Sequence, residues 1–239
     1  MLEESLPPRK DEKRVWLEVG RPGLKAFLEV MLREWRYLPG SEAVAGGLLL
    51  AEEGMIDPPP QQETIWLSPS ASASRRQLQF PIDISALYAL LERRYHNPPR
   101  CHLRLSLETV CELVTADDHQ PATLASISDR GCRLKFSVEL ARDARVELCL
   151  DLANLPTCLP GKVIYCVPRY QADHQLYYDL GLLFSAIERK LCDELLDYII
   201  ASYFTKAKRQ LSAAEFNSAL GCFNVSDAVK NYLAERLAV

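Results

Sequence analysis

The sequence predicts two domains of different class: a small α/β sandwich over residues 14–97, then a six-stranded antiparallel β-barrel with a long helix over residues 98–208, followed by a helical extension at 209–239. Three observations carry this reading. The chain has 239 residues, which suits two modest cores, since domains commonly run about 100–150 residues. Apolar spacing changes near residue 100, from strands alternating with helices to a repeated period of two. The change coincides with Asn97-Pro98-Pro99, where proline cannot continue a helix and stiffens the exit.

In the first half, residues 1–13 form a polar arm, and Val15-Trp16-Leu17-Glu18-Val19-Gly20 is an apolar run ended by glycine, the pattern of a buried strand. Leu24, Phe27, Leu28, Met31 and Leu32 then fall on one helical face. Gly47-Leu48-Leu49-Leu50-Ala51 and Thr64-Ile65-Trp66-Leu67 predict two further strands, separated by the breakers Asp57-Pro58-Pro59-Pro60, and the serine-rich stretch from Ser68 to Ser74 predicts a loop. Ile84, Leu87, Leu90 and Leu91 return to helical spacing with Asp83 as cap. Strand and helix alternating in this way argue for a mostly parallel sheet.

From His102 the pattern is that of strands. Leu103, Leu105 and Leu107 alternate with Arg104, Ser106 and Glu108, and similar stretches follow at Ala122–Ile127, Cys132–Phe136, Val146–Leu150, Gly161–Val167 and Tyr177–Phe184. Six such strands separated by turn residues predict an antiparallel barrel. A long helix from about Ile187 to Lys206 carries the apolar stripe Leu191, Leu195, Leu196 and Ile199, and Ser226-Asp227 caps a last helix that ends near Leu237.

Composition narrows the function. With 48% hydrophobic and 25% charged residues the chain has enough apolar surface to fold. A net charge of −4 gives no general attraction for a nucleic-acid backbone, so any anionic ligand must be caught by a local basic cluster. No apolar run approaches the roughly 18 residues of a membrane span, and the acidic and basic N-terminus lacks a signal core; these predict a cytoplasmic protein without membrane insertion. The eight cysteines contain no CxxC pair, and several occupy alternating apolar positions, so they are expected to be reduced and packed as small hydrophobes, with no metal. His96, His102, His119 and His174 lack ligand spacing and are expected at the surface. GxSxG, HExxH and GxxxxGK[ST] are missing, so no catalytic residue is assigned and the protein is expected not to be an enzyme.

Two short segments carry chemistry. Arg100-Cys101-His102-Leu103-Arg104 leads into an alternating strand, and Ser126-Ile127-Ser128-Asp129-Arg130-Gly131 stands at a strand-to-turn junction. A guanidinium donates two parallel hydrogen bonds to a guanine edge or a phosphate and can stack on a purine. A serine hydroxyl bonds a base edge without crowding, and glycine clears space where ligand or backbone must come close. Together the two segments resemble the PilZ family, which pairs RxxxR at the start of its barrel with [D/N]xSxxG on the facing turn; the likeness extends over roughly residues 98–208. It implies cyclic di-GMP as the ligand and no other cofactor. It assigns Arg100 and Arg104 to guanine and phosphate recognition and Ser126, Ser128 and Gly131 to the facing turn. Ser126 stands where the family has Asp or Asn, and it accepts fewer hydrogen bonds.

The first half resembles, more faintly and by element order only, a receiver domain of a response regulator. Gly20-Arg21 stands where receivers carry an acidic pair, Leu50-Ala51-Glu52-Glu53 supplies no phospho-acceptor aspartate, and no lysine occurs between Lys25 and Lys135. Without carboxylates to hold Mg²⁺ there is nothing to activate phosphoryl transfer, so a pseudo-receiver used for contacts is expected, with an unrelated α/β module as the alternative. The resemblances imply a signalling adaptor that binds cyclic di-GMP and a protein partner, the ligand acting at the Pro98-Pro99 junction to change the arrangement of the halves. The alternative is a degenerate PilZ protein that has lost the nucleotide and serves as an interaction module, its terminal helix offering a face for homo-oligomerisation. A transcription regulator is disfavoured because Lys230 and Arg236 are the few basic residues of the terminal segment.

Overall fold

The computed structural model describes residues 13–40, 47–58, 61–70, 76–116, 118–152, 155–171 and 174–237. The expected polar arm before Lys13 and most of the serine loop, residues 71–75, lie outside the described residues. Two compact units result. One comprises the chain to Arg100 together with Lys206–Val225, the other Cys101–Thr205 with Ser226–Val239.

The first unit contains β1 (Arg14–Glu18), α1 (Pro22–Glu34), β2 (Leu38–Gly40), β3 (Leu48–Glu52), β4 (Thr64–Ser68), β5 (Gln77–Gln79) and α2 (Ile84–Tyr95). Its strands form one parallel sheet in the order β2-β1-β3-β4-β5. The central strands read as continuous apolar runs because both faces are covered: Val15, Leu17, Leu48 and Leu50 are buried, and so are Trp16, Leu49 and Ala51, which cluster with Trp66. Pro22 at the start of α1 costs no hydrogen bond, and Leu24, Phe27, Leu28, Met31 and Leu32 are buried, as their spacing predicts. Asp83 caps α2 by accepting from the amides of Ser85 and Ala86 at 2.8 and 3.1 Å.

The chain returns to this unit after the barrel. α4 (Ala213–Leu220) opens with a capping box made by Ser212 and Glu215. A Cβ on Gly23 would lie 2.6 Å from the carbonyl oxygen of Glu215, so the glycine permits the closest approach of α1 to α4. The Phe27 and Phe223 rings meet at 4.7 Å, and the backbone of Ile82 bonds to Cys222 and Asn224.

The second unit is a closed barrel in the order β10-β11-β8-β7-β6-β9, every neighbouring pair antiparallel. Its strands are β6 (Leu105–Val114), β7 (His119–Ser128), β8 (Gly131–Phe136), β9 (Arg145–Leu152), β10 (Leu155–Tyr170) and β11 (Leu176–Phe184). Alternation turns Leu105, Leu113, Leu124, Leu134, Leu148, Leu159, Val163 and Leu180 inward, and closure leaves no unpaired edge. α3 (Arg189–Lys208) follows, with Leu195, Ile199, Tyr203 and Phe204 buried, so the central part of the expected stripe is already packed. Ser226 caps α5 (Asp227–Leu237) by accepting from the Val229 amide at 3.1 Å and donates to Asp197 at 2.8 Å. Among the described residues, no helix is long and apolar enough to cross a membrane.

The cysteine expectation needs correction. Cys111, Cys132, Cys192 and Cys222 are buried thiols, but Cys101 is exposed and Cys149 is joined to Cys158 in a disulfide. The cause is register. β10 begins at Leu155, six residues before the expected strand, and runs antiparallel to β9 with Cys158 directly opposite Cys149. Pro156 and Pro160 are tolerated where β10 pairs with β9 alone.

Candidate functional site

The turn from β7 to β8 is held by its own side chains. Ser128 is buried; its hydroxyl donates to the Gly131 carbonyl at 3.0 Å and accepts from the Arg130 amide at 3.3 Å. Gly131 lies against β11, where a Cβ would come within 2.2 Å of the Leu182 carbonyl oxygen. Just upstream, the β7–β8 register slips between Leu124 and Ser126, a bulge that re-aims the half-buried Ser126.

Arg104 is exposed immediately before β6, and its carbonyl accepts the hydroxyl proton of Tyr203, which fastens the start of the barrel to α3. Asp129 in the turn is engaged by His102 at 3.1 Å and by Arg130 at 3.4 Å. On β8, Arg133 grips the buried Asp179 of β11 with two parallel bonds of 2.6 and 2.9 Å. The Asp179 bond raises the guanidinium pKa further, so Arg133 is always a cation. The Tyr165 ring lies on Gly181, where a Cβ would strike it at 2.2 Å, and the residue is 38% exposed. Burial, and then Asp179, push the Tyr165 phenol pKa up and keep it protonated.

One cavity of about 340 Å³ lies among these elements, on the outer wall of the barrel. Arg104, Ser126, Ser128 and Gly131 all line it. Arg100 does not: it is exposed and is the last residue of the first unit. Sequence reading missed Arg130, Arg133 and Tyr165, which line the cavity with His102. Arg130 and Arg133 flank the serine motif and were open to notice; Tyr165 enters only through the pairing of β10 with β11. Guanidiniums, hydroxyls and a flat aromatic face suit an anion that carries planar rings.

Two other places in the fold gather polar donors. Among the described residues, one group of three donors could hold a metal ion: Glu147, Cys149 and Cys158, on the outer wall of β9 and β10. In the first unit, at the carboxyl ends of the parallel strands, Glu52 binds the Arg21 guanidinium at 2.8 Å and the Gly20 amide at 3.1 Å, and Ser68 donates to Glu53. Arg21 also stacks on the Phe80 ring at 4.2 Å.

No curated protein matches the chain. Among solved structures it is similar to the PilZ domain of YcgR from Escherichia coli with cyclic di-GMP, at 17% identity and a TM-score of 0.40, over 46% of this chain and 95% of that one. It is also similar to the MrkH–cyclic di-GMP complex from K. pneumonia, at 18% identity and TM-score 0.40, over 47% of this chain and 55% of that one. A third is PlzA from Borreliella burgdorferi in complex with cyclic di-GMP, at 12% identity and TM-score 0.32, over 46% of this chain and 45% of that one. The chain thus spans about half the length of the latter two. The PilZ domain model matches residues 98–201, from the proline junction through the barrel into α3, so this part of the chain is similar to PilZ domains.

Proposed function

We propose that the protein is a non-catalytic, cytoplasmic signalling adaptor whose PilZ domain binds cyclic di-GMP. The observation that carries the reading is the convergence of Arg104 with the Ser126–Gly131 turn on one cavity that also holds Arg130, Arg133 and Tyr165. In this reading Arg104 and Arg100 clamp phosphate and guanine, Ser126 and Ser128 bond the base edge, and Gly131 keeps the turn close to β11. Arg133 is already oriented by its two bonds to Asp179 and keeps further N–H donors for a ligand, and Tyr165 offers a stacking surface.

The first unit acts in this reading as a receiver-like contact module for a protein partner. Its strand order, 2-1-3-4-5, is that of flavodoxin-like sheets. Where such a fold would gather carboxylates around a metal, the Arg21 guanidinium sits against Glu52, which supports a module without phosphoryl transfer.

Calorimetric titration with cyclic di-GMP, with GTP as control, tests the reading. Wild-type protein is expected to bind at micromolar concentration or tighter. Arg104→Ala and Arg100→Ala are each expected to weaken binding about tenfold to a hundredfold, since a charge-assisted hydrogen bond contributes about 1.5–3 kcal/mol. Absence of heat with the wild type, or wild-type affinity in both variants, overturns it. A second reading, a degenerate PilZ domain serving as an interaction module, is favoured by Ser126 and by the engagement of Asp129 with His102 and Arg130. It predicts no nucleotide binding and self-association in light scattering.

A further inference from the structure

The outer face of β9 carries Glu147, Cys149 and Asp151 in succession, while Val146, Leu148, Leu150 and Leu152 point inward and are buried. Cys158 of β10 stands opposite Cys149 on one side, and Glu112 of β6 stands opposite it on the other. Both cysteines and Glu112 border an open depression of about 450 Å³, with Asp151 at its edge. The ladder itself brings the two sulfurs together, whatever their oxidation state. The Cα atoms are 4.1 Å apart, and the sulfurs and a Glu147 carboxylate oxygen all lie within 4.8 Å of one another. Cys158 is exposed and Cys149 half-buried, so solutes reach them.

We propose that Glu147, Cys149 and Cys158 form a binding site for a zinc-class divalent cation when the two cysteines are reduced, and that the disulfide is the closed, metal-free form of the same site. The donor set selects the ion: two thiolates favour a soft or borderline cation such as Zn²⁺ over Mg²⁺ or Ca²⁺. Zinc takes sulfur at about 2.3 Å and carboxylate oxygen at about 2.0–2.2 Å in a tetrahedron, which places the two sulfurs about 3.8 Å apart. Opposed cysteines with Cα atoms 4.1 Å apart reach that spacing by side-chain rotation without moving the ladder. Solvent fills the fourth position. Glu112 and Asp151 add negative potential, with Glu112 also bound by His119 at 3.3 Å. That potential disfavours bare thiolates and is relieved by a divalent cation.

In a reducing compartment the pair stands as two thiols, and binding Zn²⁺ releases their protons. A low-molecular-weight disulfide reverses this. It takes two electrons from the thiolate pair, the Cys149–Cys158 bond forms, the cation leaves, and the oxidant departs as two thiols that take up two protons from solvent. The site therefore reports oxidation as loss of metal.

The test uses the full chain, reduced with a phosphine and titrated anaerobically with Co²⁺ and then Zn²⁺. One equivalent of Co²⁺ is expected to give a thiolate-to-cobalt charge-transfer band that Zn²⁺ removes. Cys149→Ser and Cys158→Ser should each lower affinity at least tenfold and about halve the band, and Glu147→Gln should weaken binding several-fold with the band retained. Adding oxidised glutathione should release one equivalent of metal with loss of two titratable thiols. A reduced wild type without the band overturns the proposal. So does a band that survives in the double variant Cys149→Ser/Cys158→Ser, since the metal would then lie on other cysteines. Thermal unfolding of each variant, expected to match the reduced wild type, separates loss of the site from loss of the fold.

Discussion

Gly131 sits where β8 passes closest to β11, and its missing side chain is a packing requirement. A methyl group there would lie 2.2 Å from the Leu182 carbonyl oxygen, so Gly131→Ala must push one strand away. Overpacking of this kind costs about 1–3 kcal/mol. The variant should lower the urea midpoint of the barrel, followed by far-UV circular dichroism, and should also displace the Ser128 hydroxyl from its bond to residue 131. In the first unit Glu92 is buried, bonded to Tyr37 at 2.7 Å and Lys13 at 3.1 Å. Tyr37→Phe withdraws one of these donors, with an expected loss of about 1–3 kcal/mol. Burial, and then Glu92, raise the Tyr37 pKa well above the tyrosine range, so folding favours its protonated form. Stability from this group is full below pH ~10, the unfolded value, and falls as pH rises above it. Wild type should lose stability above pH ~10 more steeply than Tyr37→Phe in a urea series read by tryptophan fluorescence; parallel losses would sink the assignment.

At the scale of elements, α2 depends on its cap. Asp83→Ala removes the acceptor for two amides and should cost about 1 kcal/mol, measured as a lower midpoint with an unchanged denaturant slope. The elements legible in the sequence were those whose burial pattern is a simple period. α1 shows its face in Leu24, Phe27, Leu28 and Met31, and β6 and β9 alternate because a closed barrel has one wet and one dry wall. β2 and β5 were invisible: each has three residues, too few to show a period, at the edges of a parallel sheet. β10 was expected only from Gly161, and leaving out the six residues before it, which pair with β9, hid the opposition of Cys149 and Cys158. The candidate site divides in the same way. Arg104, Ser126, Ser128 and Gly131 are local in sequence and were found, whereas the Arg133–Asp179 bond and the seat of Tyr165 on Gly181 need strand pairings that no local pattern reveals.

At the scale of the whole molecule, the path of the chain matters more than its length. The first unit is completed by Lys206–Val225, residues that come after the entire barrel in sequence. Phe223 contributes both a ring against Phe27 and a bridge to Ile82, while Phe216 and Ala219 of α4 are buried beside it. The N-terminal hundred residues are therefore an incomplete core, and synthesis must pass through the barrel before that core can close. Phe223→Ala isolates this dependence without shortening the chain. Removing a buried phenylalanine ring costs about 3–5 kcal/mol. All three tryptophans, Trp16, Trp35 and Trp66, lie in the first unit, so their fluorescence reports it selectively. Phe223→Ala should shift the fluorescence transition in urea to markedly lower concentration, and amide exchange should accelerate in α1, whose Phe27 loses its partner. If the fluorescence transition stays in place while α1 keeps its protection, the segment after the barrel is not part of the first core.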